Sequence, residues 1–193
     1  MAALYGLDIE TDTAIDGRDP RVAGVIAVAI ADHNGAIAVL CGPERAALRG
    51  LVAVLDELPP GVVTTWNGSG FDLPFIAERC EKLGITLPWK LTATDLPAKY
   101  SPLPNRAGRY RATLGGHAHA DIAWAYEAHC NETLTPWSLK PLAHALGIPA
   151  VEADREHAGD LPTDELVAYV VSDALVTAKL AHRLGSTLTQ YVD

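Results

Sequence analysis

Cysteine is scarce in this chain of 193 residues: Cys41, Cys80 and Cys130 stand far apart and none shares a CxxC spacing. That pattern suggests neither a zinc knuckle nor a disulfide framework. No apolar run approaches the ~20 residues of a membrane span. The longest, 22–31 (VAGVIAVAIA), is strand-sized. The first residues lack the basic segment, apolar core and cleavage site of a secretory signal. These absences set the expectation of a cytoplasmic protein with no membrane partner. Basic residues are outnumbered 15 to 24 by acids, giving a net charge of −9. That balance argues against coating long duplex DNA by phosphate neutralisation. It leaves open a site that meets phosphate through bound cations.

Apolar residues make up 49% of the chain, ample for a packed core, and the length fits a single domain over 1–193. Seven of the basic residues (Arg79, Lys82, Lys90, Lys99, Arg106, Arg109, Arg111) fall between 79 and 111, against only Glu81 and Asp95. A solvated loop and a phosphate-guiding surface explain this local surplus equally well.

Residues 3–9 and 22–31 read as buried strands, and Asn34-Gly35 signals a hairpin into a third strand at 36–40. Pro43 precedes a helical pattern that ends at Pro59-Pro60, and 62–66 (VVTTW) reads as a fourth strand. A helix is expected over 73–83, capped by Asp72 and ended by Gly84. Residues 85–118, rich in Pro, Gly, Arg and Tyr, read as a long excursion with little regular structure. A fifth strand is expected near 117–122, then a short helix, then a helix over 138–146 closed by Gly147. Thr163 is expected to cap a long last helix, with Lys179, His182 and Arg183 near its end as the macrodipole favours. This order of elements predicts an α/β or α+β layered domain with a mixed sheet.

Three places put acids where isolated charge is costly. In LYGLDIET (4–11), Asp8 and Glu10 leave an apolar strand on the same face, two residues apart. Like charges so held repel unless a cation lies between them, and hard divalent ions take carboxylate oxygens. In WNGSGFD (66–72), glycines allow close backbone approach, and Phe71 stands beside Asp72 at a helix start. In YVVSD (169–173), Tyr169 and Asp173 share a helix face at i and i+4, and an aspartate amid Val, Ala and Leu is a poor choice for stability. Each has an ordinary reading: a loop start, a capped turn with an apolar staple, a wet helix face.

In order, D-x-E, N-x-x-x-F-D and Y-x-x-x-D resemble the three motifs of the DEDD superfamily of 3′→5′ exonucleases, in its tyrosine-bearing branch. The nearest likeness is to the proofreading exonuclease domain of family B DNA polymerases and its stand-alone relatives. HAHADIAW (117–124) and LTPWSLKPLAHALGI (134–148) are weaker echoes. The resemblance implies a ribonuclease H-like fold, a five-stranded mixed sheet with one antiparallel hairpin strand and helices on both sides. It implies two divalent ions, Mg²⁺ or Mn²⁺, roughly 4 Å apart, clamping the attacking and leaving oxygens. Asp8, Glu10 and Asp173 would hold the first, Asp8 would bridge to the second, and Asp72 would reach that one. Tyr169 would orient the attacking water. Glu10 and the backbone of Ile9 and Thr11 would receive the 3′-hydroxyl. Asn67 and Phe71 would line the path of the single strand, where stacking on Phe71 is worth ~1–3 kcal/mol.

Arg106, Arg109 and Arg111 are assigned phosphate contacts from charge alone. The expected substrate is the 3′ end of single-stranded DNA, or short RNAs at the same site, with nucleoside monophosphates as product. With no polymerase segment after Asp193, a free-standing nuclease is expected, or one that joins a protein partner in repair or replication. Two competing readings remain. His117-Ala-His119-Ala-Asp121 begins like the HxHxD zinc signature of metallo-β-lactamase-like hydrolases, but Ile122 stands where a histidine usually follows. A nuclease fold kept only for binding would have lost an acid, and all four are present.

Overall fold

The computed structural model describes residues 2–97, 99, 103–104 and 108–193. Strands β1 (Ala3–Thr11), β2 (Val25–Ala31), β3 (Ala36–Cys41), β4 (Gly61–Thr65), β5 (Trp89–Thr94), β6 (Arg109–Leu114) and β7 (His117–Asp121) form one sheet, ordered β3-β2-β1-β4-β7-β6-β5. β1, β4 and β7 run parallel, and the remaining neighbours pair antiparallel. Helices α1 (Glu44–Glu57), α2 (Asp72–Lys82), α3 (Glu127–Thr133), α4 (Leu139–Ala145) and α5 (Thr163–Leu184) complete the fold.

β2 reads as an unbroken apolar run because both its faces are covered. Val25, Val28 and Ile30 pack with Leu48, Leu51 and Leu55 of α1, together with Leu73, Phe75 and Ile76 of α2. Ala27, Ala29 and Ala31, on the other face, meet Leu166, Val170 and Ala174 of α5. Removing a side chain such as Leu48 or Leu51 would cost about 2–5 kcal/mol. A polar tie joins these layers: Glu44 accepts from Arg79 at 2.7 and 2.6 Å and from the Val25 N–H at 2.8 Å, while Arg79 also donates to the Pro20 carbonyl at 2.7 Å. Arg79 therefore belongs to the interior, not to a phosphate-guiding surface.

The Asn34-Gly35 hairpin, and Gly84 (φ +61°) and Gly147 (φ +71°) at the ends of α2 and α4, stand where the sequence places them. Four expectations need correction. The sheet has seven strands, not five, because the excursion at 85–118 contains β5 and β6. Their alternation is blurred by Lys90, Arg109 and Arg111 and by faces that are half exposed, so it imitates a loop. Asp72 is the first residue of α2, and Phe71 occupies the cap position. Thr163 likewise begins α5, with Pro162 at the cap. β2 starts at Val25 rather than Val22.

Candidate active site

β1 outruns its parallel partner. Its pairing with β4 covers only Ala3–Gly6, while pairing with β2 continues to Thr11. Beyond Gly6 the flank of β1 is open, at the carboxyl ends of parallel strands, where α/β sheets bind ligands. Asp8 and Glu10 project together there, opposite Ala29 and Ala27 of β2.

Gly6 fixes the third acid. A Cβ at this position would lie 2.0 Å from the Ala174 carbonyl oxygen and 2.8 Å from the Ala178 nitrogen. Only glycine lets the α5 backbone press this closely on β1. The approach brings Asp173 to Asp8 and Glu10: one ligand oxygen from each lies within 4.8 Å of the others. Tyr169 and Asp173 are both buried, so the wet-face reading of that helix fails.

The loop after β4 delivers Asp72. Asn67 takes φ +64°, and Gly68 is required because a Cβ there would sit 2.4 Å from Thr65 Cβ. Asp121, at the end of β7, pins this loop. Its carboxylate accepts from the Asn67 N–H at 2.9 Å, the Ser69 N–H at 3.1 Å, the Ala123 N–H at 3.2 Å and the Ser69 hydroxyl. Asp72 is buried. The Thr11 hydroxyl donates to the Gly17 carbonyl at 2.7 Å. Phe71 is half-buried against Phe75, ring centroids 5.5 Å apart.

Electrostatics follow from this crowding. Burial raises the Asp8 carboxyl far above its usual range, and Asp173, Asp72 and Glu10 add repulsion that Lys140 partly offsets. Burial pushes Asp72 up to about 7, with Asp121 and Asp173 contributing. Burial also pushes Asp173 to about 6, against the pull of Lys140. Asp8 Oδ2 is buried with no hydrogen-bond partner. Clustered, desolvated carboxylates with one orphaned oxygen fit hard oxygen-seeking divalent ions.

The chain resembles known proteins in sequence and in fold. A profile of the DNA polymerase family B exonuclease domain matches residues 26–99. The DNA polymerase of Pyrococcus glycovorans is 33% identical over 194 residues, covering 94% of this chain. Over 26–99 the chain is thus similar to the family B DNA polymerase exonuclease domain. A DNA polymerase of Pyrococcus horikoshii is 34% identical to this exonuclease-like chain over 197 residues, again covering 94% of it. The exonuclease-like chain spans 22% and 15% of the length of those two polymerases. In fold it matches the family B DNA polymerase of Pyrobaculum calidifontis, TM-score 0.69 at 21% identity, covering 95% of this chain and 24% of that one. The fold is ribonuclease H-like, with β5 and β6 extending the mixed sheet.

Two residues of this exonuclease-like site escaped the sequence reading. Asp121 stood in the HxHxD motif, and Lys140 in the helix before the third acidic motif. Lys140 Nζ lies 2.5 Å from Asp173 Oδ1 and 3.9 Å from the centre of the Tyr169 ring. The histidines of HxHxD serve the interior. His117 Nε2 donates to the Leu55 carbonyl at 2.7 Å, and His119 bridges Thr65 Oγ1 at 2.9 Å and Asp193 Oδ2 at 3.0 Å. Among the described residues, Asp8, Glu10 and Asp173 are the one group of three or more His, Cys, Asp or Glu placed to share an ion.

Arg109 and Arg111 line one cleft with Ser69 and Asp121. Arg109 stacks on Trp124 at 4.0 Å, Arg111 is exposed, and Arg106 lies outside the described residues. No helix among the described residues is long and apolar enough to cross a membrane.

Proposed function

We propose that this chain is a metal-dependent 3′→5′ exonuclease acting on single-stranded DNA ends. The observation that carries the reading is the convergence of Asp8, Glu10 and Asp173 around a buried, unpartnered carboxylate oxygen, on a chain related to polymerase exonuclease domains. Asp8, Glu10 and Asp173 are suited to one divalent ion, and Asp8 with Asp72 to a second. When bound, Mg²⁺ or Mn²⁺ supplies Lewis-acid polarisation of the phosphate and an acidified attacking water.

The chain's own residues do the rest. Tyr169 is held beside Asp173 by helical spacing and orients the water by hydrogen bond, without itself losing a proton. Glu10 receives the terminal 3′-hydroxyl, which limits attack to free ends. The backbone of Ile9 and Thr11 assists it, with the Thr11 hydroxyl held by the Gly17 carbonyl. Asn67 and Phe71, at the loop over the site, line the single strand. Arg111, exposed on β6, meets phosphate farther along. Arg109, stacked on Trp124, keeps in-plane N–H donors for the same role. The products are nucleoside monophosphates, and the polymerase kinship supports DNA over RNA and a setting in replication or repair.

The test uses matched 5′-labelled DNA and RNA oligonucleotides with Mg²⁺ or Mn²⁺, beside a DNA strand blocked by a 3′-phosphate. Progressive shortening of the free DNA strand, with the blocked one resistant, is expected. Cleavage at internal sites, or none with either ion, overturns the reading. Shortening of RNA alone overturns the DNA assignment.

A further inference from the structure

The acid cluster has a positive charge of its own beside it. Lys140 sits in the first turn of α4, whose Leu139, Leu142 and Ala143 are buried, so the root of its side chain is fixed. Its ammonium touches Asp173 Oδ1 at 2.5 Å, donates to the Val151 carbonyl, and rests over the Tyr169 ring at 3.9 Å. Both partners of the ion pair are nearly nine-tenths buried, with side-chain exposures of 13% and 11%. Among the described residues, Lys140 is the cation that acts on both Asp8 and Asp173.

We infer that Lys140 is a resident counter-ion, a positioning residue that holds Asp173 and covers Tyr169 until a divalent ion displaces it, and so sets the ion concentration at which the site fills. The inference rests on the metal-dependent reading above and concerns the regulation of that same site. An ammonium at 2.5 Å occupies the space beside the oxygen that a divalent ion needs at about 2.1 Å, and the two positive charges repel. Both cannot hold Asp173 Oδ1 at once. Leaving that oxygen also moves Nζ off the tyrosine ring, so ion arrival and exposure of Tyr169 become one event. The lysine keeps Asp173 from standing as an uncompensated buried charge in the meantime.

The experiment measures Mn²⁺ binding by calorimetry on the wild type, Lys140→Met and Lys140→Arg, with melting temperatures in chelator and the Mn²⁺ dependence of hydrolysis in parallel. Lys140→Met is expected to melt lower without metal, to bind Mn²⁺ about tenfold more tightly, and to reach half-maximal rate at correspondingly less Mn²⁺. Lys140→Arg, which keeps the charge, is expected to restore wild-type affinity. If the methionine variant does not fold, Lys140→Gln replaces it in the same comparison. Unchanged or weaker Mn²⁺ affinity on loss of the charge overturns the inference. The functional reading fails separately, through absence of hydrolysis in the wild type whatever its affinity for Mn²⁺.

Discussion

Asp8 meets strong opposition to its charge: burial and three neighbouring acids, offset in part by the Lys140 ammonium. Replacing it relieves repulsion and removes a ligand at once. Asp8→Ala is therefore expected to abolish hydrolysis while keeping the wild-type circular dichroism spectrum; retained activity on a labelled single strand contradicts its role. Tyr169→Phe keeps the ring under Lys140 and loses only the hydroxyl, so its rate should fall by less than that of Asp8→Ala. The same residues set a pH dependence. Asp72 at about 7 and Asp173 at about 6 stand above the 3.8 of an ordinary aspartate. Between those values the native state holds protons that the unfolded chain has released, so stability falls as pH rises. The contribution is fully present below about pH 4 and is lost on passing 6 to 7. In chelator, the melting temperature should be lower at pH 8 than at pH 5, and Mn²⁺ should recover the difference. A chelated protein that melts higher at pH 8 would contradict this.

Individual elements position the site through single contacts. Gly6→Ala drives a methyl group to 2.0 Å from the Ala174 carbonyl, so α5 must move away from β1. The expected cost is about 1–3 kcal/mol. Activity should fall further than stability explains, because Asp173 leaves with the helix; kinetics at a temperature where the variant remains folded will separate the two losses. Asp121→Ala frees two backbone N–H groups and the Ser69 hydroxyl of the loop before α2, and the Ala123 N–H after β7. It should destabilise by about 1–3 kcal/mol and slow hydrolysis through misplacement of Asp72, checked by denaturant unfolding beside the oligonucleotide assay.

These contrasts explain what could be read without coordinates. Asp8 with Glu10, and Tyr169 with Asp173, are joined by the periods of a strand and a helix, which are local and visible in the sequence. The grip of Asp121 on Ser69 and of Lys140 on Asp173 depends on which elements become neighbours, and no local period encodes that. β5 and β6 were missed because a half-exposed hairpin carries charge on positions that a buried strand would keep apolar. Asp72 was misjudged as a cap because the sequence marks a helix start equally well whether the first carboxylate turns to the backbone or to a site.

At the scale of the whole molecule, a net charge of −9 sets the terms of encounter with a polyanion. Few basic side chains are disposed to neutralise phosphates, so binding should depend on divalent ions and on stacking more than on counter-ion release. A single strand made hydrolysis-resistant by 3′ phosphorothioates should bind weakly in chelator and more tightly with Mn²⁺. Fluorescence anisotropy at several salt concentrations will measure this; tight, metal-independent binding with a steep salt slope would contradict it. The union of the first strand with the last helix at Gly6 has a kinetic corollary. The acids of residues 8 and 173 meet only when opposite ends of the chain have docked, a non-local event that pays loop-closure entropy in advance. If that docking follows the rate-limiting barrier, a divalent ion acts as a late staple. It should leave the refolding limb of a chevron plot nearly unchanged and slow the unfolding limb, giving the loaded protein a longer native lifetime.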